Sequence, residues 1–226
     1  MFADRSQAGR TLGRLVADQV HDSPVVVLAL PRGGVPVAFE VARCLDATVD
    51  FDIFLVRKLG VPDREELAFG AIATGGVRVL NRDIIEQLEV PDDIIEQVAH
   101  CQQLELERRE RAYRQERPPV GLRGRVVILV DDGLATGATM IAAVGAVRQH
   151  EPARIVVAVP VASRQTCEQL RSIADQMICA ETHDPFFAVG YWYGDFEQVS
   201  DAQVRALLRQ FTSQDPTPGA QRRHAP

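Results

Sequence analysis

Short, largely apolar runs limit the folds open to this chain more than any other feature. They are VVVLAL (25–30), FDIFLV (51–56), VVILV (126–130), RIVVAVPVA (154–162) and QMICA (176–180). A strand with one wet face alternates apolar and polar residues. Near-continuous runs suit strands buried on both faces, as in a parallel sheet. The stretches between them have helical character. Leu12, Leu15, Val16 and Val20 recur at helical spacing within 6–20, and Val35–Leu45, Ala138–Gln149, Gln165–Ile173 and Asp201–Phe211 read as further helices. Strands alternating with helices predict an α/β fold around a parallel sheet.

Three segments depart from that rhythm. Residues 57–70 (RKLGVPDREELAFG) are polar and carry Gly60 and Pro62, so they are expected to be a loop, and AIATGGVRVLN (71–81) a hairpin around Gly75–Gly76. Residues 92–116 are strongly charged with few breakers. They predict a long helix with a narrow apolar stripe, capped by Asp92 or Asp93. Residues 82–117 thus form a helical insertion, whose surface is compatible with a homodimer interface, a lid or a partner site. Residues 181–196 are aromatic-rich and irregular, and the polar tail 212–226 is expected to be disordered. The whole reads as a single domain over 1–211.

Charge and cysteine usage narrow the function classes. The net charge of −6 argues against broad nucleic-acid binding, which needs a basic footprint. Cys44, Cys101, Cys167 and Cys179 form no CxxC pair, so free thiols are expected rather than a zinc or redox motif. The polar start MFADRSQAGR lacks the apolar core of a signal peptide, and no window approaches a membrane span. These features together predict a cytoplasmic protein.

The most informative stretch is VVILVDDGLATGATM (126–140), an apolar strand followed by two acids, small residues, two threonines and a helix. Ligands of open parallel sheets bind beyond the carboxyl ends of the strands. A helix N-terminus there offers free N–H groups and the positive end of a dipole to an anion. Gly137 and the small side chains of Ala135 and Ala138 leave room for a phosphate, with hydroxyl donors from Thr136 and Thr139. Asp131 and Asp132 make sense beside an anion only if the ligand also carries hydroxyls or a metal. A sugar phosphate satisfies both halves. A Walker loop is excluded by the missing lysine, and a dinucleotide fingerprint by the glycine spacing.

VILVDDGLATGAT resembles the phosphoribosyl pyrophosphate signature of type I phosphoribosyltransferases, over roughly residues 24–200 apart from the helical insertion. The resemblance implies a Rossmann-like parallel-sheet core with a small C-terminal hood at 181–200. It implies that Asp131 and Asp132 hold the ribose hydroxyls and that Ala135–Thr139 cradle the 5-phosphate. LPRGGVPVA (30–38) resembles the family's pyrophosphate loop, which assigns Arg32, Gly33 and Gly34 to the leaving group. VRKLG (56–60) and the following residues are similar to the mobile flap of the adenine enzymes. There Lys58 is the basic candidate, with Arg57 next to it. That flap carries a glutamate where this chain has Ala68, and Glu65 and Glu66 are near but not aligned. THDPFFAVGYWYGDF (182–196) is similar to the hood of the hypoxanthine-guanine enzymes. It puts Phe187, or its neighbour Phe186, over the base.

The implied reaction moves ribose 5-phosphate from phosphoribosyl pyrophosphate to a small nitrogen heterocycle, with magnesium as cofactor. The resemblance suggests reaching the metal through ligand or water from Asp131, Asp132 or Asp195, the last being one residue out of step with the family's position. On this reading Arg32, Lys58, Asp131 and Asp132 carry the catalysis. Ala135 stands where 6-oxopurine enzymes have an aspartate, so hypoxanthine and guanine are expected to be poor acceptors. A sensor of phosphoribosyl pyrophosphate without transferase activity is the alternative, since a fold does not by itself prove catalysis.

Overall fold

In the computed structural model, residues 1–21, 24–45, 49–62, 64–115 and 117–213 are described. The chain begins with α1 (Arg5–Ala17), β1 (Val25–Ala29), α2 (Gly34–Cys44) and β2 (Val49–Ile53). After an intervening segment it resumes with β6 (Val126–Val130), α5 (Ala138–Arg148), β7 (Arg154–Ser163), α6 (Arg164–Arg171), β8 (Gln176–His183) and α7 (Asp201–Ser213). The core strands pair in the order β2-β1-β6-β7-β8, and every pairing is parallel. This is the α/β architecture that the apolar runs predict.

The pleat explains why those runs are continuous. Val25, Val27 and Ala29 face one apolar layer with Leu12, Val16 and Val41 of α1 and α2 and Val204 of α7. Val26 and Leu28 face the opposite layer with Met140 and Val144 of α5 and Leu170 of α6. Alternate residues of one strand therefore serve two cores, and neither set can be polar.

The intervening segment holds the main departures from expectation. Residues 57–70 are not a loop. β3 (Val56–Val61) and β4 (Arg64–Ala73) pair antiparallel, and β5 (Val77–Leu80) completes a second, three-stranded sheet. The register slips at Leu59–Gly60 and again at Gly60–Val61, so Gly60 marks an irregularity inside a strand rather than a break. The expected strand at 51–56 is accordingly split: β2 ends at Ile53 and Val56 opens β3. The β4–β5 hairpin turns at Gly75–Gly76, both with positive φ, as the sequence predicts.

α3 (Arg82–Gln87) and α4 (Asp92–Arg114) follow. Neither Asp92 nor Asp93 caps α4. Pro91 is the N-cap, and the two acids lie in the first turn, where a negative charge still meets the helix dipole. The apolar stripe of α4 runs through Ile95, Ala99, Leu106 and Tyr113, and the helix packs on β3 and α7. Two boundaries also move. β8 runs on through His183, and α7 includes Thr212 and Ser213; the rest of the expected tail, 214–226, lies outside the described residues. No helix among the described residues is long and apolar enough to cross a membrane.

The N-terminal residues reach across the molecule to the far end of the chain. Phe2 bridges Tyr193 in parallel, and Ala3 O accepts from Asp195 N at 2.8 Å. This contact delivers the first turn of α1 to the carboxyl edge of the sheet.

Candidate functional site

The carboxyl ends of β1 and β6 lie side by side, Ala29 opposite Val130. The loop after each strand begins there, so the sheet itself brings Arg32–Gly34 to Asp131–Asp132. Their approach is close. A β-carbon on Gly33 would lie 2.0 Å from Asp132 Oδ2, and one on Gly34 would lie 2.8 Å from Val130 O. Only glycines let these two loops touch. The Pro31–Arg32 peptide between them and β1 is cis.

The rest of the β6 loop is tied to β7. Leu134 N donates to Val161 O at 2.9 Å, and Ser163 N donates to Leu134 O at 3.1 Å. Ala135 O accepts from the hydroxyls of Ser163 and Thr166 at the start of α6. Gly137 adopts φ +67° at the N-cap of α5, which a side chain would strain, and a β-carbon there would meet Thr166 Cγ2 at 2.5 Å. Ala135, Thr136 and Thr139 are left exposed around the helix start, beside the half-buried Ala138. The first N–H groups of α5 have no intrahelical acceptor. The arrangement can take an anion, with hydroxyl donors on its rim.

Asp131 and Asp132 are half-buried, and their surroundings favour the neutral form. Burial first, then the Asp132 charge, pushes the Asp131 carboxyl well above the usual carboxylate range, against the pull of the Asp132 N–H and Arg5. Burial also raises Asp132, while an ion pair with Arg5 opposes it. An acid whose value is raised in the fold adds stability below its unfolded value and loses it as pH climbs through the folded one. Asp131→Asn should therefore raise the thermal midpoint, and by more near pH 7 than at about pH 4. Scanning calorimetry at the two pH values checks this; equal midpoints for variant and parent near pH 7 would contradict it.

Arg5 was not foreseen. Its Nε donates to Asp132 Oδ2 at 2.8 Å and its guanidinium to Glu197 O at 2.7 Å, and Cζ lies 3.9 Å from the centre of the Phe196 ring. Tyr193 was likewise missed as a site residue. Its hydroxyl donates to Asp132 O at 2.5 Å.

The other expected residues are placed as follows. Arg32 follows the β1 strand beside the acids, but its guanidinium turns to Asp201 Oδ1 at 3.6 Å, an oxygen that also accepts from Tyr113 at 2.8 Å. Lys58 lies on β3 and is exposed, and with Ala138 it lines a cavity of about 910 Å3. Arg57, its neighbour, is held to Gln102 of α4 at 2.8 Å. Phe187 is 72% exposed with its ring 5.7 Å from Tyr191, whereas Phe186 is half-buried, 6.1 Å from Trp192. The hood reaches the loop through Val189, which a β-carbon on Gly133 would meet at 2.6 Å. Asp195 accepts from Glu197 N at 3.0 Å, and it belongs to no group of three ligating side chains among the described residues.

A family model, the phosphoribosyl transferase domain, matches residues 62–193, more than half of the chain. This chain belongs to the phosphoribosyl transferase domain family. Among its relatives is Rv0571c of Mycobacterium tuberculosis, provisionally named a phosphoribosyl transferase. It is 46% identical over 208 residues, which cover 92% of this chain and 46% of that protein. The chain thus spans under half the length of the curated relatives it matches. The crystal structure of TT1426 from Thermus thermophilus superposes with a TM-score of 0.83 at 43% identity, covering 92% of this chain and 98% of that one. The parallel sheet, its strand-end loops and the signature at 126–140 are therefore those of a type I phosphoribosyltransferase fold.

Proposed function

We propose that this chain transfers ribose 5-phosphate from phosphoribosyl pyrophosphate to a ring nitrogen of a nucleobase or related heterocycle, releasing pyrophosphate. The observation that carries this reading is the contact between the Gly33–Gly34 loop and the Asp131–Asp132 pair. It brings two adjacent carboxylates between the start of α5 and the Arg32–Gly34 turn, an arrangement that fits a sugar phosphorylated at one end and pyrophosphorylated at the other. Ala135–Thr139 hold the 5-phosphate, Asp131 and Asp132 accept from the ribose hydroxyls, and Arg32 with Gly33 and Gly34 receives the pyrophosphate. To do so, Arg32 exchanges Asp201 for the incoming phosphate, a charge-assisted pair of better geometry. Lys58 adds an exposed cation from β3, and Phe187 offers an aromatic face to the acceptor base.

Two adjacent carboxylates, with no third ligating side chain grouped with them among the described residues, suit magnesium, which keeps its waters and binds mainly through substrate phosphates. When bound with pyrophosphate, with Asp131 and Asp132 as outer partners, the ion neutralises charge on the leaving group. The protein's own contribution is positioning and fixed dipoles around an oxocarbenium-like sugar. Ala135 presents no carboxylate to the acceptor, which disfavours 6-oxopurines.

The test is to incubate the protein with phosphoribosyl pyrophosphate, magnesium and a panel of bases, and to follow pyrophosphate release. Base-dependent release, weak with hypoxanthine and guanine, is the expected result. Binding without release for any base would replace this reading with a sensor, and release without a base with a hydrolase.

A further inference from the structure

We propose that Arg5 is a positioning residue of the ribose end, holding the Asp132 carboxylate in the orientation that receives the sugar hydroxyls. The proposal rests on the assignment of the Asp131–Asp132 loop to a ribose phosphate and adds to it a residue 127 positions away in sequence.

Arg5 is fixed from every side. It is the first residue of α1, whose N-cap Asp4 accepts from Gln7 N at 2.7 Å. The helix behind it is anchored by buried Leu12 and Val16. Its Nε takes Asp132, its NH1 takes Glu197 O, and its plane covers Phe196. The side chain is 11% exposed, so this is an enclosed contact rather than a surface pair. A guanidinium can satisfy three directions at once from one rigid plane, which an ammonium cannot.

The ion pair occupies one oxygen of Asp132. The other has no side-chain partner among the described residues, and the Tyr193 hydroxyl fixes the backbone of the same residue. Asp132 is thus held at both ends, with one acceptor left for a ligand.

Isothermal titration of the parent chain, Arg5→Met and Arg5→Lys with ribose 5-phosphate and with inorganic phosphate tests this. The expected result is about tenfold weaker binding of ribose 5-phosphate in Arg5→Met, as for loss of a hydrogen bond to a charged group, with inorganic phosphate unchanged. Arg5→Lys, which keeps the charge but not the plane, should fall between. Equal loss for both probes would make Arg5 a purely structural residue and overturn the proposal. Unchanged or tighter binding of ribose 5-phosphate would overturn it too, the latter by making Arg5 a competitor of the sugar. A parent chain that binds inorganic phosphate but not ribose 5-phosphate would sink the ribose reading itself. If Arg5→Met fails to unfold cooperatively, Phe196→Leu removes the surface beneath the guanidinium and keeps the ion pair. It should weaken ribose 5-phosphate alone by a smaller factor, and no selective weakening would count against the proposal.

Discussion

Gly33→Ala should lower kcat/KM for phosphoribosyl pyrophosphate on the order of a hundredfold while the protein stays folded. Gly33 has φ −60° and ψ −37°, so the backbone accepts alanine without strain. The nearest conflict is with Asp132, whose Oδ2 and Cγ lie 2.0 and 2.6 Å from the new methyl position. Either the carboxylate leaves Arg5 and its place beside the ribose, or the pyrophosphate loop backs away. A displacement of about 1 Å in a positioning group is enough for a loss of that size. Steady-state pyrophosphate release gives the rate, and circular dichroism confirms the fold. Parental kcat/KM in a folded Gly33→Ala protein would mean that the two loops do not act as one site.

The largest effect on stability is expected at Arg114. Its Nε reaches both oxygens of Asp52 at 3.0 and 3.1 Å, its other nitrogens reach Glu110 and Ile53 O, and both Arg114 and Asp52 are buried. Arg114→Met leaves the Asp52 charge enclosed without its counter-ion, which costs about 3–5 kcal/mol. For a chain of this size that lowers the thermal midpoint on the order of 10 °C. Adding Asp52→Asn should recover part of the loss, because no charge stays buried and the amide oxygen still accepts from Ile53 N, although its NH2 then faces Val120 N. Thermal unfolding of the single and double variants decides the point. A single variant within 1–2 °C of the parent would show the pair to be energetically neutral, as some buried pairs are when both partners are replaced together. The same contact fixes the end of α4 to β2, so this long charged helix is anchored in the core.

The parallel sheet was readable because its inner strands β1, β6 and β7 are buried on both faces and so announce themselves locally as apolar runs. The β6 loop was readable for a related reason: its chemistry lies within nine consecutive residues. What escaped depends on distant partners. Residues 57–70 look like a loop by composition, and only pairing with β4 and support from α4 make Val56–Val61 a strand. Arg5 sits in a polar N-terminus whose sequence says nothing of Asp132 or Phe196. The turn of Arg32 toward Asp201 is equally silent, because it needs α7 and α4 in place. At the start of α4 the N-cap is Pro91, which makes no side-chain cap, and the acids Asp92 and Asp93 follow in the first turn, where they still serve the dipole.

The strand order has a consequence for how the chain is made. β1 is an inner strand, and while β2 covers one edge soon after, its other partner β6 lies about a hundred residues further along the chain. At a synthesis rate of about 5–20 residues per second, the VVVLA edge of β1 waits roughly 5–20 s for its cover. An uncharged edge of that kind is a template for pairing with the wrong chain. The antiparallel sheet pairs strands that are neighbours in sequence and can assemble during that interval. The period of greatest exposure to aggregation therefore ends with the emergence of β6, the strand that leads directly into the phosphate loop.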